Sequence, residues 1–455
     1  MKILLLGDDG RAHALAWKLI NSPRSPEIIC APGNGGTAPF APSVMLDMTD
    51  AAAISRWTFE EQIDLVIPAS GAPLHAGLVD EVLSLQVGVW GAARRTAALE
   101  RSRCMTKEFM LRHGMPTATG RAFTDLAIAE RYLATLPLPV MIKTDHPSGG
   151  EEIFDDRYAA LEGLRRLFAA RSLDGGEGVV VEAALHGPRV ALSAFTDGRT
   201  SVPLLAVRLY DRVDERDRGA QASGVGAHTS NSPFARQLAR YLHEKFIIPA
   251  VAGLEQDGLP CWGILGVDCI ITADGPRATA LRCTFREGEA QVVLPRLEDD
   301  LLPWVEATIA RRLHELPPPA WTITPSVGLG LMARGYPAFF PTGGQVHGLD
   351  DIEPGVMVFH SATTHPAATV PYTSRASAGR SGGATALNSM IGGLLGMGGS
   401  SQWSGGLRTT GGLVVTVVAQ GVSLPSARAR ALINADRVKF EACTYRADIG
   451  ERDFG

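Results

Sequence analysis

The stretch Pro139-Val140-Met141-Ile142-Lys143-Thr144-Asp145-His146-Pro147-Ser148-Gly149-Gly150-Glu151-Glu152-Ile153-Phe154-Asp155-Asp156 decides how the chain is read. An apolar run ends in a lone Lys143 and passes into a small-residue turn at Gly149 and Gly150, as a strand does when it hands a triphosphate to a flexible loop. The four acids that follow oppose that use. Glu151, Glu152, Asp155 and Asp156 would each repel a nearby phosphate oxygen by up to about 4 kcal/mol at an effective dielectric near 20. Either the loop has another task or it takes nothing anionic.

Working outward, a chain of 455 residues is long enough for three or four domains, or fewer large ones, and for a sizeable core. The net charge of -5 leaves no basic footprint, which argues against nucleic acid as a partner. The cations are almost all arginine; the lysines are Lys2, Lys18, Lys107, Lys143, Lys245 and Lys439. Cys30, Cys104, Cys261, Cys269, Cys283 and Cys443 form no C-x-x-C pair and have no histidines at zinc spacing, as expected of reduced thiols in the cytoplasm. The apolar start meets Gly7 too early for a signal peptide, and no apolar run reaches the ~18 residues of a membrane span. The expectation is a soluble, cytoplasmic protein with no membrane partner.

Taken in order, Ile3–Leu6 reads as a buried strand, followed by the turn Gly7-Asp8-Asp9-Gly10-Arg11 and a helix through His13, Leu15, Trp17 and Ile20. Further strands at Ile28–Cys30, Asp64–Pro68 and Val87–Trp90 each end in a small-residue loop. That pattern is the opening of a doubly wound sheet, with its loops gathered at the carboxyl edge where ligands bind. A helix capped by Ser102 runs to His113. Strand 139–143, helix 158–171 and strand 178–182 then suggest a small α/β lid. Strands at 190–195 and 202–209 precede the charged run Asp211–Gly219, expected to be a solvated loop. One long helix (233–254) and a hairpin around Asp274-Gly275 follow. Pro317-Pro318-Pro319 reads as a linker into a last domain. Within that domain Ser374–Gly412 reads as a flexible Gly/Ser-rich insertion; the alternative reading makes its apolar island, Met390–Met397, an oligomer contact.

Several strings resemble one family, the ATP-grasp enzyme phosphoribosylamine–glycine ligase of purine synthesis. Gly7-Asp8-Asp9-Gly10-Arg11-Ala12-His13-Ala14 is similar to its G-N-G-G-R-E-H-A opening, and Ala31–Ala38 to A-P-G-N-x-G-T-A. Thr106–Ala118 is similar to T-K-x-F-x-x-x-x-x-I-P-T-A, while Gly335-Tyr336-Pro337, Phe359-His360 and Arg446–Gly450 look like its carboxy-terminal domain. The resemblance implies an α/β chain: an amino-terminal doubly wound domain for a sugar phosphate (1–101), a two-part ATP-grasp domain with a large subdomain (102–122 and 187–316) and a lid (123–186), and a small carboxy-terminal α/β domain (320–455). It also implies that ATP and magnesium activate glycine's carboxylate for attack by the amine of phosphoribosylamine, a reaction in which cations over the phosphates supply much of the acceleration.

At the nucleotide end the motif residues differ. The family's K-A-D-G-L-A-A-G-K-G-V becomes Lys143–Ile153, with Glu151 in the place of the loop lysine. I-E-E-F-L becomes Val181-Glu182-Ala183-Ala184-Leu185, and the ribose-binding acid is Arg189. D-H-K-R becomes Leu209-Tyr210-Asp211-Arg212. The magnesium signature E-F-N-C-R-F-G-D-P-E becomes Ala280–Glu289, with Ala280 and Arg282 for its metal-binding Glu and Asn. Arg103, Lys143, Glu182 and Leu185 remain as a remnant nucleotide site, and Asp268 is a candidate replacement metal ligand. An exchange of partners, with Arg282 or Arg286 pairing to Glu151 or Glu152, would close the cleft without ATP. At the sugar-phosphate end Gly7, Gly10, Arg11, His13, Gly33, Asn34, Gly36, Thr37 and Ser70 offer backbone amides and one guanidinium, although Ala12 and Gly71 replace two acids of the motif. Glu287 and Glu289, in the D-P-E positions, are the candidate catalytic acids.

Three functions follow from this reading. The chain is a divergent ligase-like protein that binds a sugar phosphate and forms a carbon–nitrogen bond, or a pseudoenzyme that binds or scaffolds, or an ATP-dependent phosphoribosylamine–glycine ligase. No cofactor is assigned beyond the ATP and magnesium that the resemblance implies.

Overall fold

The computed structural model describes residues 1–147, 149–170, 176–365 and 406–454. Its first unit is a parallel sheet of order β2-β1-β3-β4, built from β1 (Lys2–Gly7), β2 (Glu27–Pro32), β3 (Leu65–Pro68) and β4 (Gly88–Val89). Ile3 and Leu5 of β1 enter one core while Leu4 and Leu6 enter another. Burial on both faces explains the unbroken apolar run. Helix α1 (Gly10–Ile20) follows directly, capped by the Asp9 carboxylate, which accepts from the amides of Arg11 and Ala12.

The lid is an antiparallel sheet of order β6-β9-β7-β8. Its strands are β6 (Gly120–Phe123), β7 (Val140–Thr144), β8 (Glu151–Phe154) and β9 (Val179–Ala183), and helices Leu126–Leu133 and Arg157–Ala170 cover one face. It begins at Gly120, inside the stretch assigned above to the large subdomain, because β6 pairs with β9.

A ten-stranded sheet forms the body. Its main path runs β14-β13-β10-β11-β12-β15-β19-β16, with β5 (Gly91–Ala92) on β13 and β20 (Cys443–Thr444) on β15. The path strands are β10 (Arg189–Thr196), β11 (Ser201–Asp214), β12 (Arg218–Thr229), β13 (Cys261–Thr272), β14 (Gly275–Arg282), β15 (Ser326–Ala333), β16 (Met357–His360) and β19 (Leu413–Gln420). The small pair β17 (Thr363–Thr364) and β18 (Arg408–Thr409) stands apart. Because β12 pairs with β15, the carboxy-terminal strands continue the central sheet across the Pro317–Pro319 connection.

Two expectations are corrected. The charged run 211–219 is not a loop: β11 and β12 extend through it as a hairpin, and only 215–217 form the turn. The helix at 233–254 is interrupted by a π-helical turn at His243–Ile247, next to Pro249, which cannot donate to the helical ladder. The Gly/Ser-rich insertion ends in β18, while the island Met390–Met397 lies outside the described residues.

Candidate functional site

A cavity of about 420 Å³ opens where the first unit, the lid and the body meet, and Arg11, Arg103, Lys143, Glu151, Glu182, Leu185, Asp268, Arg282 and Glu287 line it together with other residues. Most of its charged groups are engaged with one another.

At the lid, Glu182 of β9 accepts from Lys107 Nζ at 2.8 Å and pairs with Lys143 Nζ of β7 at 2.7 Å. Burial alone would raise this carboxyl, but the two ammonium groups outweigh it and bring it down to about 2. Glu151 of β8 pairs with Arg103 at 2.9 Å and faces Arg189 of β10 at 3.9 Å; Arg189 in turn holds Asp211 at 2.9 Å. Burial pushes Glu151 upward, yet Arg103, Lys143 and Arg189 together leave it below the usual carboxylate range. Glu151 therefore ties the lid to the body. Glu152 points away, to Arg166 on the lid's own helix at 2.7 Å.

On the body, Arg282 at the end of β14 reaches Asp268 of β13 at 2.7 Å and Glu289 at 3.0 Å, and Arg286 takes the other oxygen of Asp268 at 2.7 Å. The expected pairing of Arg282 or Arg286 with Glu151 or Glu152 is corrected: Arg282 and Arg286 pair within the body with Asp268 and Glu289, and the lid's Glu151 pairs with Arg103 and Arg189. Register explains this, because Asp268 stands opposite Ala280 on the same hairpin and lies within reach of both arginines.

Arg282 also tests the fit of the magnesium that the resemblance implies. Both carboxylate oxygens of Asp268 bond guanidinium groups, and Glu289 is fully buried beneath Arg282 and Ser193. Asp268 as a metal ligand is thus corrected: a divalent ion would lie against two cations. Among the described residues no group of three or more His, Cys, Asp or Glu is placed to share a metal ion. With guanidinium groups on Asp268 and Glu289, the residues present do not fit magnesium, and Arg103, Lys143, Arg189 and Arg282 each face an acid.

The loops expected to take the sugar phosphate do converge. Asn34 receives the amides of Gly36 and Thr37 and donates to the carbonyls of Asp8 and His360, and Gly35 donates to Thr363. His13 Nδ1 accepts from the amide of His360 at 2.9 Å. A Cβ on Gly36 would lie 2.3 Å from the His13 ring, so this close approach requires glycine. Arg11 is held by Asp9 at 2.9 Å and donates to the carbonyl of Phe285. The carboxylate of Asp9 thus occupies the α1 terminus where an anion would sit. Gly7 ends β1, Gly10 opens α1 and Gly33 follows β2, whereas Ser70 precedes the neighbouring helix Gly71–Ala76 and makes no side-chain cap bond to it.

Of the two candidate catalytic acids, Glu287 lines the cavity. Its Oε1 accepts from Ser361 at 2.8 Å and Gln291 at 2.6 Å, and its Oε2 lies 3.7 Å from Arg11. Burial, reinforced by Asp9 and opposed by Arg11, pushes its carboxyl up to about 7. Glu289 is turned inward. Sequence reasoning missed His75, Glu100 and Gln221 on the cavity wall. Glu100 accepts from the amide of Cys283 at 2.7 Å, and its oxygen lies 3.1 Å from where a Cβ on Gly71 would be. It thereby brings an acid close to the place where the motif's own acid is missing, from a helix that carries no signature.

Family models for the phosphoribosylglycinamide synthetase N domain, ATP-grasp (A) domain and C domain match residues 1–100, 101–290 and 326–452. Phosphoribosylamine–glycine ligase of Caulobacter vibrioides is 31% identical over 99% of this chain and 98% of that protein. The trifunctional purine biosynthetic protein adenosine-3 of Gallus gallus is 30% identical over 99% of this chain and 42% of its own length. Among solved structures, phosphoribosylamine–glycine ligase of Thermotoga maritima superposes with a TM-score of 0.77 at 22% identity, covering 98% of this chain and 100% of that one. With its sheets, cleft and three matched domains in agreement, the chain belongs to the phosphoribosylamine–glycine ligase family.

Proposed function

We propose that this chain binds an amine-bearing sugar phosphate of the phosphoribosylamine kind in the cleft, with Glu287 receiving the amine, and that it does so without magnesium nucleotide. One observation carries the reading: His75 Nε2, Arg282 Nη2 and Glu287 Oε2 are buried without a hydrogen-bond partner among the described residues, and all three residues line the same cavity. Buried polar atoms left without partners are costly. A ligand carrying an amine for the carboxylate and an anionic oxygen for the guanidinium would satisfy them, and relatives are named for joining such an amine to glycine. A Glu287 carboxyl poised near neutrality is suited to accept a proton from that amine. The mutual pairing of the remaining charges favours a second reading, a binding or scaffold protein on the ligase fold with no chemistry of its own.

Calorimetry with ribose 5-phosphate, 5-phosphoribosylamine, glycine and ATP–magnesium tests the proposal. The expected result is binding of the ribose phosphates, loss of that binding in Arg11→Ala, and no heat from ATP–magnesium. Glycine-dependent ADP release would overturn the reading in favour of an ATP-dependent ligase. Absence of binding by every sugar phosphate would leave the scaffold.

A further inference from the structure

The Arg282 guanidinium sits in a cage of oxygens. Nε donates to Asp268 Oδ1 at 2.7 Å, Nη1 donates to the Thr284 carbonyl at 2.7 Å, and Nη1 lies 3.0 Å from Glu289 Oε2. Around this cage the outer contacts are fixed. Asp268 Oδ2 takes Arg286 at 2.7 Å, Glu289 Oε1 takes Ser193 at 2.6 Å, and the Arg286 amide reaches Glu289 Oε2 at 2.8 Å. Two carboxylates and a carbonyl converging on one point make a hard-oxygen donor set of the kind that magnesium and manganese prefer. Here one covalently attached cation occupies that point.

We propose that Arg282 is a built-in counter-ion: it fills a latent divalent-cation site formed by Asp268, Glu289 and the Thr284 carbonyl, and makes the cleft independent of metal. Charge supports the assignment. Asp268 and Glu289 are balanced by Arg282 and Arg286, so a divalent ion entering the intact cluster would add two positive charges beside a guanidinium. Removing Arg282 leaves two buried carboxylates facing a single arginine, an arrangement that is costly until the charge is replaced. The second independent feature is Arg282 Nη2, buried and without a hydrogen-bond partner among the described residues on a side chain that lines the cavity. It supplies the cleft with a fixed donor for a carboxylate or phosphoryl oxygen, a task that a bound metal would otherwise perform.

The test is a titration of manganese into the metal-stripped full-length chain, followed by electron paramagnetic resonance. Wild type and Arg282→Lys are expected to take up no manganese at this site. Arg282→Ala is expected to bind one ion at least about tenfold more tightly than wild type binds any, and the double variant D268N/R282A to lose it. Uptake of one ion by wild type, or no gain by a folded Arg282→Ala, would overturn the proposal. Should Arg282→Ala unfold in metal-free buffer, thermal unfolding decides: manganese is expected to restore the folded transition, and no restoration overturns the assignment. None of these readouts depends on the organic ligand, so the proposal can fail or stand separately from the sugar-phosphate reading.

Discussion

Glu151→Gln isolates the tie between lid and body, because it keeps the side chain's size while removing its charge. Glu151 is mostly buried between Arg103 at 2.9 Å and Arg189 at 3.9 Å. Breaking a buried pair by removing one partner costs about 3–5 kcal/mol. The loss here is smaller, because Arg103 keeps the carbonyls of Thr144 and Pro147 and Arg189 keeps Asp211. About 2 kcal/mol is expected, which corresponds to a roughly 30-fold rise in the lid-opening equilibrium. Hydrogen exchange should report it as faster exchange in β7 and β8, with the sheet β10–β13 unchanged. The sign with pH follows from the lowered carboxyl. The tie is complete above the ordinary carboxylate range and is lost as pH falls through Glu151's depressed value, so wild type at neutral pH should be latched. Lid exchange within about twofold of wild type would refute the idea that this cluster holds the lid.

Two further outcomes follow from the site. Glu287→Gln should flatten the pH dependence of stability between about 4.5 and about 7, because the raised carboxyl of wild type contributes stability that is full below 4.5 and lost as pH rises through 7; thermal melts at pH 5 and pH 8 would then differ less in the variant than in wild type. Gly36→Ala forces a methyl to within 2.3 Å of the His13 ring, and overpacking of this kind costs about 1–3 kcal/mol, so a denaturant melt should show a lowered midpoint; an unchanged midpoint would mean that the loop moves freely away from His13.

Much of the architecture was legible because it is written locally. The alternation of short buried strands, small-residue loops and amphipathic helices marks the first unit, and the unbroken apolar run of β1 reflects burial on both faces. The charged run 211–219 misled because charge pattern alone cannot tell a loop from a hairpin whose strands carry exposed side chains. The lid boundary at Gly120 misled because strand pairing is a non-local property.

The sequence, by its resemblance to the family's motifs, set the expectation that Glu151 stands where a loop lysine would and that Ala280 and Arg282 stand where metal ligands would. It also determined that Glu287 is an acid in a candidate catalytic position. Only the tertiary structure decided who neutralises whom. Asp268 lies 14 residues before Arg282 yet is set within reach by the antiparallel hairpin. Glu151 meets Arg103 and Arg189 across three segments distant in sequence, and Asp9 turns back onto α1 and Arg11. Charge identity is a property of the residue; pairing depends on distances of about 3 Å that only folding sets.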